Sequence, residues 1–200
     1  VERGVIEWDT GFFDLLPELK NDARPCYYSI TLADLLSHRA FVQPYELGSE
    51  FRDVPELTGE LHERRLKFAR YVLEQKPDRP VFKKHTYSNA GYALAALMLE
   101  QASKKTWEEL VESVINEDLE LDAGFGWPIE CGENQPRGHI PGLLAGEDGL
   151  SLGPYEYEAA SEGVIAPAGD LNISIINWSK YIQLHLRGLR GQDNYLTAET

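Results

Sequence analysis

The feature that most constrains this chain is a run of small and aliphatic side chains over Ala93–Leu99. A helix that is apolar around its whole circumference is normally buried at the centre of a protein. Ser88 and Asn89 precede the run, and both are good N-cap residues because their side-chain oxygens accept the unpaired first N–H groups of a helix. The rest of the chain is therefore expected to pack around this helix.

Tyr87 and Asn89 flank Ser88 at the start of the helix, where the helix dipole is positive. A phenol and an amide held at such a place are typical of a functional site. Taken alone, however, a Tyr-x-Asn pair is a weak motif that occurs often by chance. The simpler interpretation makes Tyr87 an amphipathic core residue and Asn89 a helix cap.

The charge of the chain argues against two classes of partner. Its formal net charge is -14, whereas affinity for nucleic acid and for anionic membrane surfaces comes largely from Lys and Arg. The longest apolar run is far shorter than the ~20 residues that span a bilayer. We therefore expect no nucleic-acid partner and no membrane span in this chain.

Potential metal ligands and thiols are few. The five histidines are scattered without metal-ligand spacing, so no metal is expected, and no other cofactor is indicated. Cys26 and Cys131 are compatible with one disulfide or with two inert buried thiols, and the sequence does not decide between them.

Four further helices are predicted from caps and apolar periodicity. They run from Thr31 to His38, from about Thr58 to Gln75, from Thr106 to about Asn116 and from Ser174 to Gly188. The first and third open with capping boxes, because an acidic residue follows the threonine three positions on. His38 is interpreted as a helix C-terminal histidine favoured by the dipole, and Gly188 as a C′ glycine.

Residues 118–170 differ from the rest, with many Gly and Pro and little periodicity. A loop region of this length in a compact domain is usually functional or disordered, and its aromatic residues argue against disorder. The fold class expected is mainly α with a few short strands and long loops, in a single domain over residues 1–200.

Five stretches together carry a family resemblance, and none of them is sufficient alone. They are Gly4–Asp9, Ile30–His38, Tyr87–Tyr92, Thr106–Leu110 and Ala166–Leu171. The second is similar to the ITIRDLLTH stretch, and the third to the YSNTGY motif, of the serine β-lactamase and penicillin-binding-protein-like superfamily. The order of all five resembles its class C β-lactamase and esterase branch. This resemblance implies the helical lobe of the β-lactamase/transpeptidase-like α+β fold.

The chain departs from that family in ways that bear on activity. No serine has a lysine three residues on, and neither Lys-Ser/Thr-Gly nor His-x-Gly occurs. The resemblance implies that the nucleophilic serine would fall before Val1 and the last motif after Thr200. Arg39-Ala40-Phe41 also replaces a glycine-containing turn of the family. We therefore expect an internal fragment of a divergent member, without the nucleophile helix and most of the sheet, that is inactive alone.

For the full-length protein the resemblance implies acyl transfer through a serine ester, on a β-lactam, an ester or a D-amino-acid peptide. Tyr87 would be the general base, and Asn89 would bond the substrate amide or help to place the family's lysine. Trp127 and Tyr155, with Tyr157, would be candidate substrate contacts in the wall of the groove, although packing is the simpler role for each. Export to the periplasm or the medium is favoured by the resemblance only, and oligomeric state is left open.

Two other hypotheses compete with the hydrolase. The first is a non-catalytic descendant of the same family that serves as a binding or regulatory module. The second is an unrelated all-helical interaction domain in which Tyr87 and Asn89 are only structural. Burial of both residues away from any cleft would favour this last interpretation.

Overall fold

The computed structural model describes residues 1–46, 48–78, 84–128, 132, 134–136, 138–140, 150–152 and 163–199. Six α-helices occur in this part of the chain. They are α1 Phe12–Leu15, α2 Leu32–Leu36, α3 Leu61–Glu74, α4 Asn89–Ser103, α5 Trp107–Val111 and α6 Ile175–Leu189. Short 3₁₀ helices lie at Pro17–Leu19, Pro25–Tyr27, Gly48–Asp53 and Ala166–Ala168.

The central element is α4, as its composition predicts. It packs against α1, α2, α3, α5 and the 3₁₀ turn Ala166–Ala168. Every position from Ala93 to Met98 is buried, so burial of apolar surface on all sides holds this helix in place. The expected buried helix is confirmed.

Side-chain caps define the beginnings of α2 and α5. The Thr31 and Thr106 side chains each accept a hydrogen bond from the N–H three residues on, and the acidic side chain there accepts one from the threonine N–H. Both predicted capping boxes are confirmed. After α5 the backbone continues as a π-helical turn, Glu112–Asp118, so the predicted helix is α-helical only to Val111.

Strands are few and short among the described residues, in agreement with the expected fold class. The strand β1, Gly124–Phe125, pairs antiparallel with β4, Leu171–Asn172. The strand β2, Gly138–Ile140, pairs antiparallel with β3, Leu150–Leu152. Residues 118–170 are therefore not wholly irregular, because three of these four strands lie inside that segment.

The last helix, α6, differs from α4 in its surroundings. None of its fifteen described residues is buried, and Ile175, Ile176 and Leu189 are strongly exposed. The predicted C′ role of Gly188 is wrong. This glycine lies inside the last turn, and Gly191 takes the left-handed conformation, with φ of 71°, that a C′ glycine usually adopts.

The structure also bears on the predictions for the cysteines and for a membrane span. Cys26 carries a free and exposed thiol, so the buried alternative is wrong for that residue, whereas Cys131 lies outside the described residues. In the described segments no helix combines the length and the apolarity that a membrane crossing requires.

Candidate active site

The first turn of α4 is fixed by Ser88, which is its N-cap. The Ser88 Oγ accepts the Gly91 N–H over 3.0 Å and donates to the carbonyl of Gln43 over 2.7 Å. The side chain is buried, with only 1% of the residue exposed. Ser88 therefore anchors the helix start to the loop before it.

Tyr87 stands just outside this cap and points away from the core. Half of the residue is exposed, at 50%. Its ring lies against the His38 imidazole, with 4.6 Å between the ring centroids and 41° between the planes. Among the described residues, no side chain or backbone group hydrogen-bonds the Tyr87 hydroxyl. The phenol is thus held by its ring, and half of the residue is open to solvent.

Asn89 is the first residue of α4 and is half-buried. Its N–H donates to the Pro44 carbonyl over 2.8 Å, and its Nδ2 donates to the Tyr45 carbonyl over 2.9 Å. The simpler interpretation of Asn89 as a helix cap is therefore wrong, because Ser88 has that role. Asn89 instead binds the loop over residues 41–45 to the mouth of the helix.

His38 contributes more to this region than sequence reasoning assigned to it. It follows the C-cap of α2 with φ of 60°, a left-handed conformation that few residues other than glycine adopt. Its carbonyl accepts the Thr86 N–H over 2.9 Å, and its Nδ1 accepts the Ser88 N–H over 3.2 Å. The residues on both sides of Tyr87 are thus hydrogen-bonded to His38.

The electrostatics of His38 contradict a dipole-stabilised cation. Burial lowers the pKa of the imidazole below its ordinary value, and nearby His85 lowers the pKa further. A helix C-terminus that stabilised a cation would raise the pKa instead. One sequence feature could have indicated this role: a histidine occupies the position after the helix end where glycine is usual.

The loop around the helix mouth holds further left-handed residues. Phe41 and Tyr45 have φ of 57° and 53°, and each such residue costs roughly 1–2 kcal/mol. The Phe41 carbonyl accepts the Asp78 N–H over 2.9 Å, and the Asp78 carbonyl accepts the Thr86 hydroxyl over 2.9 Å. Backbone strain of this kind is often concentrated at functional sites. The 38–45 loop is therefore a strained frame that is held in place by these cross-links.

The proposed substrate contacts have different outcomes. Trp127 is half-buried two residues after β1, whereas Tyr155 and Tyr157 lie outside the described residues. Their assignment as substrate contacts therefore stays a prediction. In the described segments no group of three or more His, Cys, Asp or Glu side chains has the geometry of a metal site.

A cleft of about 300 Å³ lies elsewhere, between the π-helical turn and α6. Asp118, Lys180, Arg187 and Tyr195 are among its lining residues, and Tyr87 and Asn89 are not. Arg3 forms an ion pair with Asp118, one of these lining residues. We assign the candidate site to the mouth of α4 rather than to this cleft, because the exposed phenol and the strained frame lie there.

The sequence matches the β-lactamase family over residues 1–199. The chain belongs to the β-lactamase family. An unrelated helical interaction domain is thereby excluded, and the exposure of Tyr87 is also contrary to that hypothesis. No curated protein matches the sequence significantly.

Solved structures of β-lactamases share the fold of this chain. A tyrosine-to-phenylalanine variant of a class C β-lactamase has a TM-score of 0.65 at 15% identity, over 92% of this chain and 45% of that protein. A β-lactamase from Sulfitobacter sp. EE-36 has a TM-score of 0.65 at 18% identity, over 96% of this chain and 46% of that protein. The chain thus spans less than half the length of either structure, and its helices form part of a β-lactamase fold.

Proposed function

We propose that this chain is part of a serine hydrolase that acts by acyl transfer through a serine ester, on a β-lactam, an ester or a D-amino-acid peptide. The observation that carries the proposal is the half-exposed Tyr87 phenol, held by His38 at the N-terminus of the buried helix α4. Membership of the β-lactamase family supports the reaction class. The proposal also places the full-length protein in the periplasm or outside the cell, on family resemblance alone.

In this mechanism Tyr87 is the general base. As the serine oxygen bonds the acyl carbon, the serine proton moves to the Tyr87 phenolate oxygen. The bond between the acyl carbon and the leaving group then breaks, and Tyr87 returns that proton to the leaving group. Water hydrolyses the ester in a second step. A free phenol has a pKa near 10, so a phenolate base needs nearby cations, which the family's lysine motifs supply. For that reason we propose that the 200 residues alone are inactive.

Ser88 is not the nucleophile in this proposal. Its hydroxyl already caps α4 and donates to Gln43, and the residue is almost entirely buried. An attack on a substrate carbonyl would require breaking both hydrogen bonds and exposing the oxygen. The nucleophilic serine is therefore expected in a Ser-x-x-Lys sequence outside these residues, and Asn89 would contact the substrate amide or place that lysine.

The test is covalent labelling of the full-length protein with a fluorophosphonate or a fluorescent penicillin. The wild type should label, and the Tyr87→Phe variant should label and turn over much more slowly, since general-base catalysis contributes roughly 10²–10⁴-fold. Tyr28→Phe is the matched control, because Tyr28 is also an exposed tyrosine and lies outside the site. A wild type that fails to label, or a Tyr87→Phe variant that equals it, would refute the proposal.

A second candidate is a non-catalytic family member that serves as a binding or regulatory module. The observation that favours it is the hydrogen bond from the Asn89 Nδ2 to the Tyr45 carbonyl. A purely structural asparagine would have its amide engaged in the same way. The parent gene separates the two candidates. A Ser-x-x-Lys sequence encoded shortly upstream of Val1 supports the hydrolase, and its absence supports the binding module.

A further inference from the structure

His38 contacts each of three consecutive residues at the mouth of α4. Its carbonyl accepts the Thr86 N–H over 2.9 Å, and its Nδ1 accepts the Ser88 N–H over 3.2 Å. Between these two bonds, its ring lies 4.6 Å from the ring of Tyr87. The imidazole also lies 5.4 Å from the ring of Tyr92 on α4. Three contacts of His38 therefore hold the Tyr87 backbone and ring, and the fourth is with α4 itself.

We propose that His38 is a positioning residue for Tyr87, and that it acts in its neutral form with the proton on Nε2. This inference rests on the proposed function for its effect on activity, but the geometry stands without it. The hydroxyl of Tyr87 makes no hydrogen bond within the described part of the chain, so only its ring and its backbone hold it. A base that must meet a serine proton within hydrogen-bond reach needs such support, and His38 supplies it.

The proton position follows from the hydrogen bond. An Nδ1 that accepts the Ser88 N–H must carry a lone pair, so the neutral ring bears its proton on Nε2. A protonated imidazolium has an N–H at both nitrogens, and its Nδ1–H would then face the Ser88 N–H. Protonation of His38 therefore breaks the bond that fixes the residue after Tyr87.

The surroundings of the ring favour the neutral form at neutral pH. In the described part of the chain, its titratable neighbours include Tyr87 and His85 on the 84–88 segment and Tyr92 on α4. Burial lowers the pKa of His38, and His85 lowers the pKa further. The ordered state of Tyr87 is thus present at neutral pH and is lost as the pH falls through the lowered pKa of His38.

Two variants separate positioning from general folding in the full-length protein. His38→Asn keeps a side-chain oxygen that accepts a hydrogen bond, and asparagine tolerates the left-handed conformation. His38→Ala keeps neither property. With a chromogenic cephalosporin or p-nitrophenyl ester as substrate, kcat should fall roughly 10–100-fold in His38→Ala with little change in KM, because a misplaced catalytic group costs about that much. His38→Asn should recover part of the loss.

The pH profile gives a result that a merely structural histidine would not. In the wild type, kcat should fall on the acid side with the titration of His38, and the His38→Asn profile should lack that limb. His85→Asn is the control, since it should retain the limb and move it to higher pH. Coincident acid limbs in wild type and His38→Asn, or equal kcat in all variants, would overturn the inference.

Nuclear magnetic resonance tests the geometry without any turnover. With ¹⁵N-histidine and ¹³Cζ-tyrosine labels, His38 should show the Nε2–H tautomer at neutral pH. The Tyr87 signal should shift with the same midpoint as the His38 titration. A proton on Nδ1, or a Tyr87 signal that ignores this titration, would overturn the inference even in an active enzyme. If the protein shows the Nε2–H tautomer and the shared midpoint but is not labelled by a fluorophosphonate or penicillin, the proposed function is wrong and the positioning role of His38 is still supported.

Discussion

Arg65 on α3 and Glu100 on α4 form an ion pair that is almost completely shielded from solvent. The Arg65 Nη1 donates to the Glu100 Oε1 over 2.5 Å, and the two side chains are 1% and 3% exposed. Glu100 also accepts hydrogen bonds from the Trp107 N–H and lies 2.7 Å from the His62 Nδ1. Arg65 in turn donates to Glu108 and to the Gly163 carbonyl. The pair therefore joins α3, α4, α5 and the segment that begins at Gly163.

Removal of one charge from this pair should destabilise the fold strongly. Arg65→Met removes the buried cation beside the Glu100 carboxylate and leaves it, among the described residues, only the Trp107 N–H and the half-exposed His62. We expect a loss of about 3–5 kcal/mol in the free energy of unfolding. Arg70→Met is the control on the same helix. Arg70 and its partner Asp22 are 50% and 39% exposed. The loss of stability in Arg70→Met should therefore be below about 1 kcal/mol. Urea unfolding measures both losses of stability. Equal losses would contradict the prediction that the buried pair contributes more than the exposed one.

The two serine caps should differ in their contributions. Ser88→Ala removes the cap of α4 and leaves the half-buried Gln43 carbonyl without its donor, so we expect a loss of about 2 kcal/mol. Ser174→Ala removes an exposed cap of α6, whose partner is the Asn177 N–H, and about 1 kcal/mol or less should be lost. Thermal unfolding followed by circular dichroism compares them. A larger effect at Ser174 would refute this order.

Tyr87→Phe should leave stability nearly unchanged, within about 0.5 kcal/mol. The reason is that Tyr87 is half exposed and its hydroxyl makes no hydrogen bond to the described residues. Tyr92→Phe is the matched variant. The Tyr92 hydroxyl donates to the Leu36 carbonyl over 3.3 Å, so its removal should cost about 1 kcal/mol. Urea midpoints at neutral pH check both values, and a Tyr87→Phe variant that is clearly destabilised would show a hidden structural role for the hydroxyl.

Stability should also fall at alkaline pH because of Tyr45. Burial raises the pKa of this phenol, and the neighbouring groups Tyr71, Glu50 and Asp53 raise it further. The unfolded phenol ionises near pH 10, whereas the folded one stays protonated. The stability that Tyr45 contributes is therefore present below about pH 10 and is lost as the pH rises above it.

Urea unfolding of wild type and Tyr45→Phe at increasing pH tests this prediction. The difference in midpoint between the two proteins should change above about pH 10, because only the wild type carries the ionisable phenol at this position. Parallel pH profiles over the whole alkaline range would show that ionisation of Tyr45 has no part in the loss of stability.

Local pattern was sufficient for most of the helices. The capping boxes at Thr31 and Thr106 depend on residues three positions apart, so the sequence alone located both helix starts. The apolar run over Ala93–Leu99 likewise predicted a buried helix without reference to its neighbours. The predicted second helix, Thr58–Gln75, differs from the observed α3 by only a few residues at its start and one at its end.

Helix ends and the site depended on contacts that no local pattern contains. Gly188 was the predicted C′ glycine, but the helix continues to Leu189 and Gly191 takes the left-handed conformation. His38 was assigned to the dipole of its own helix, but its Nδ1 binds Ser88, which lies fifty residues away along the chain. The interpretation of His38 was wrong because its partner could not be identified from sequence spacing.

The sequence by itself therefore determined the central helix and the capping boxes at Thr31 and Thr106, since propensity, capping and apolar periodicity act over a few residues. Only the tertiary structure decided that Ser88 rather than Asn89 caps the central helix, that Tyr87 is exposed, and what supports its phenol. Long-range packing brought His38 against Tyr87, and it buried Arg65 against Glu100. Such contacts arise where separate elements remove apolar surface from water together, so no single stretch of the sequence contains them.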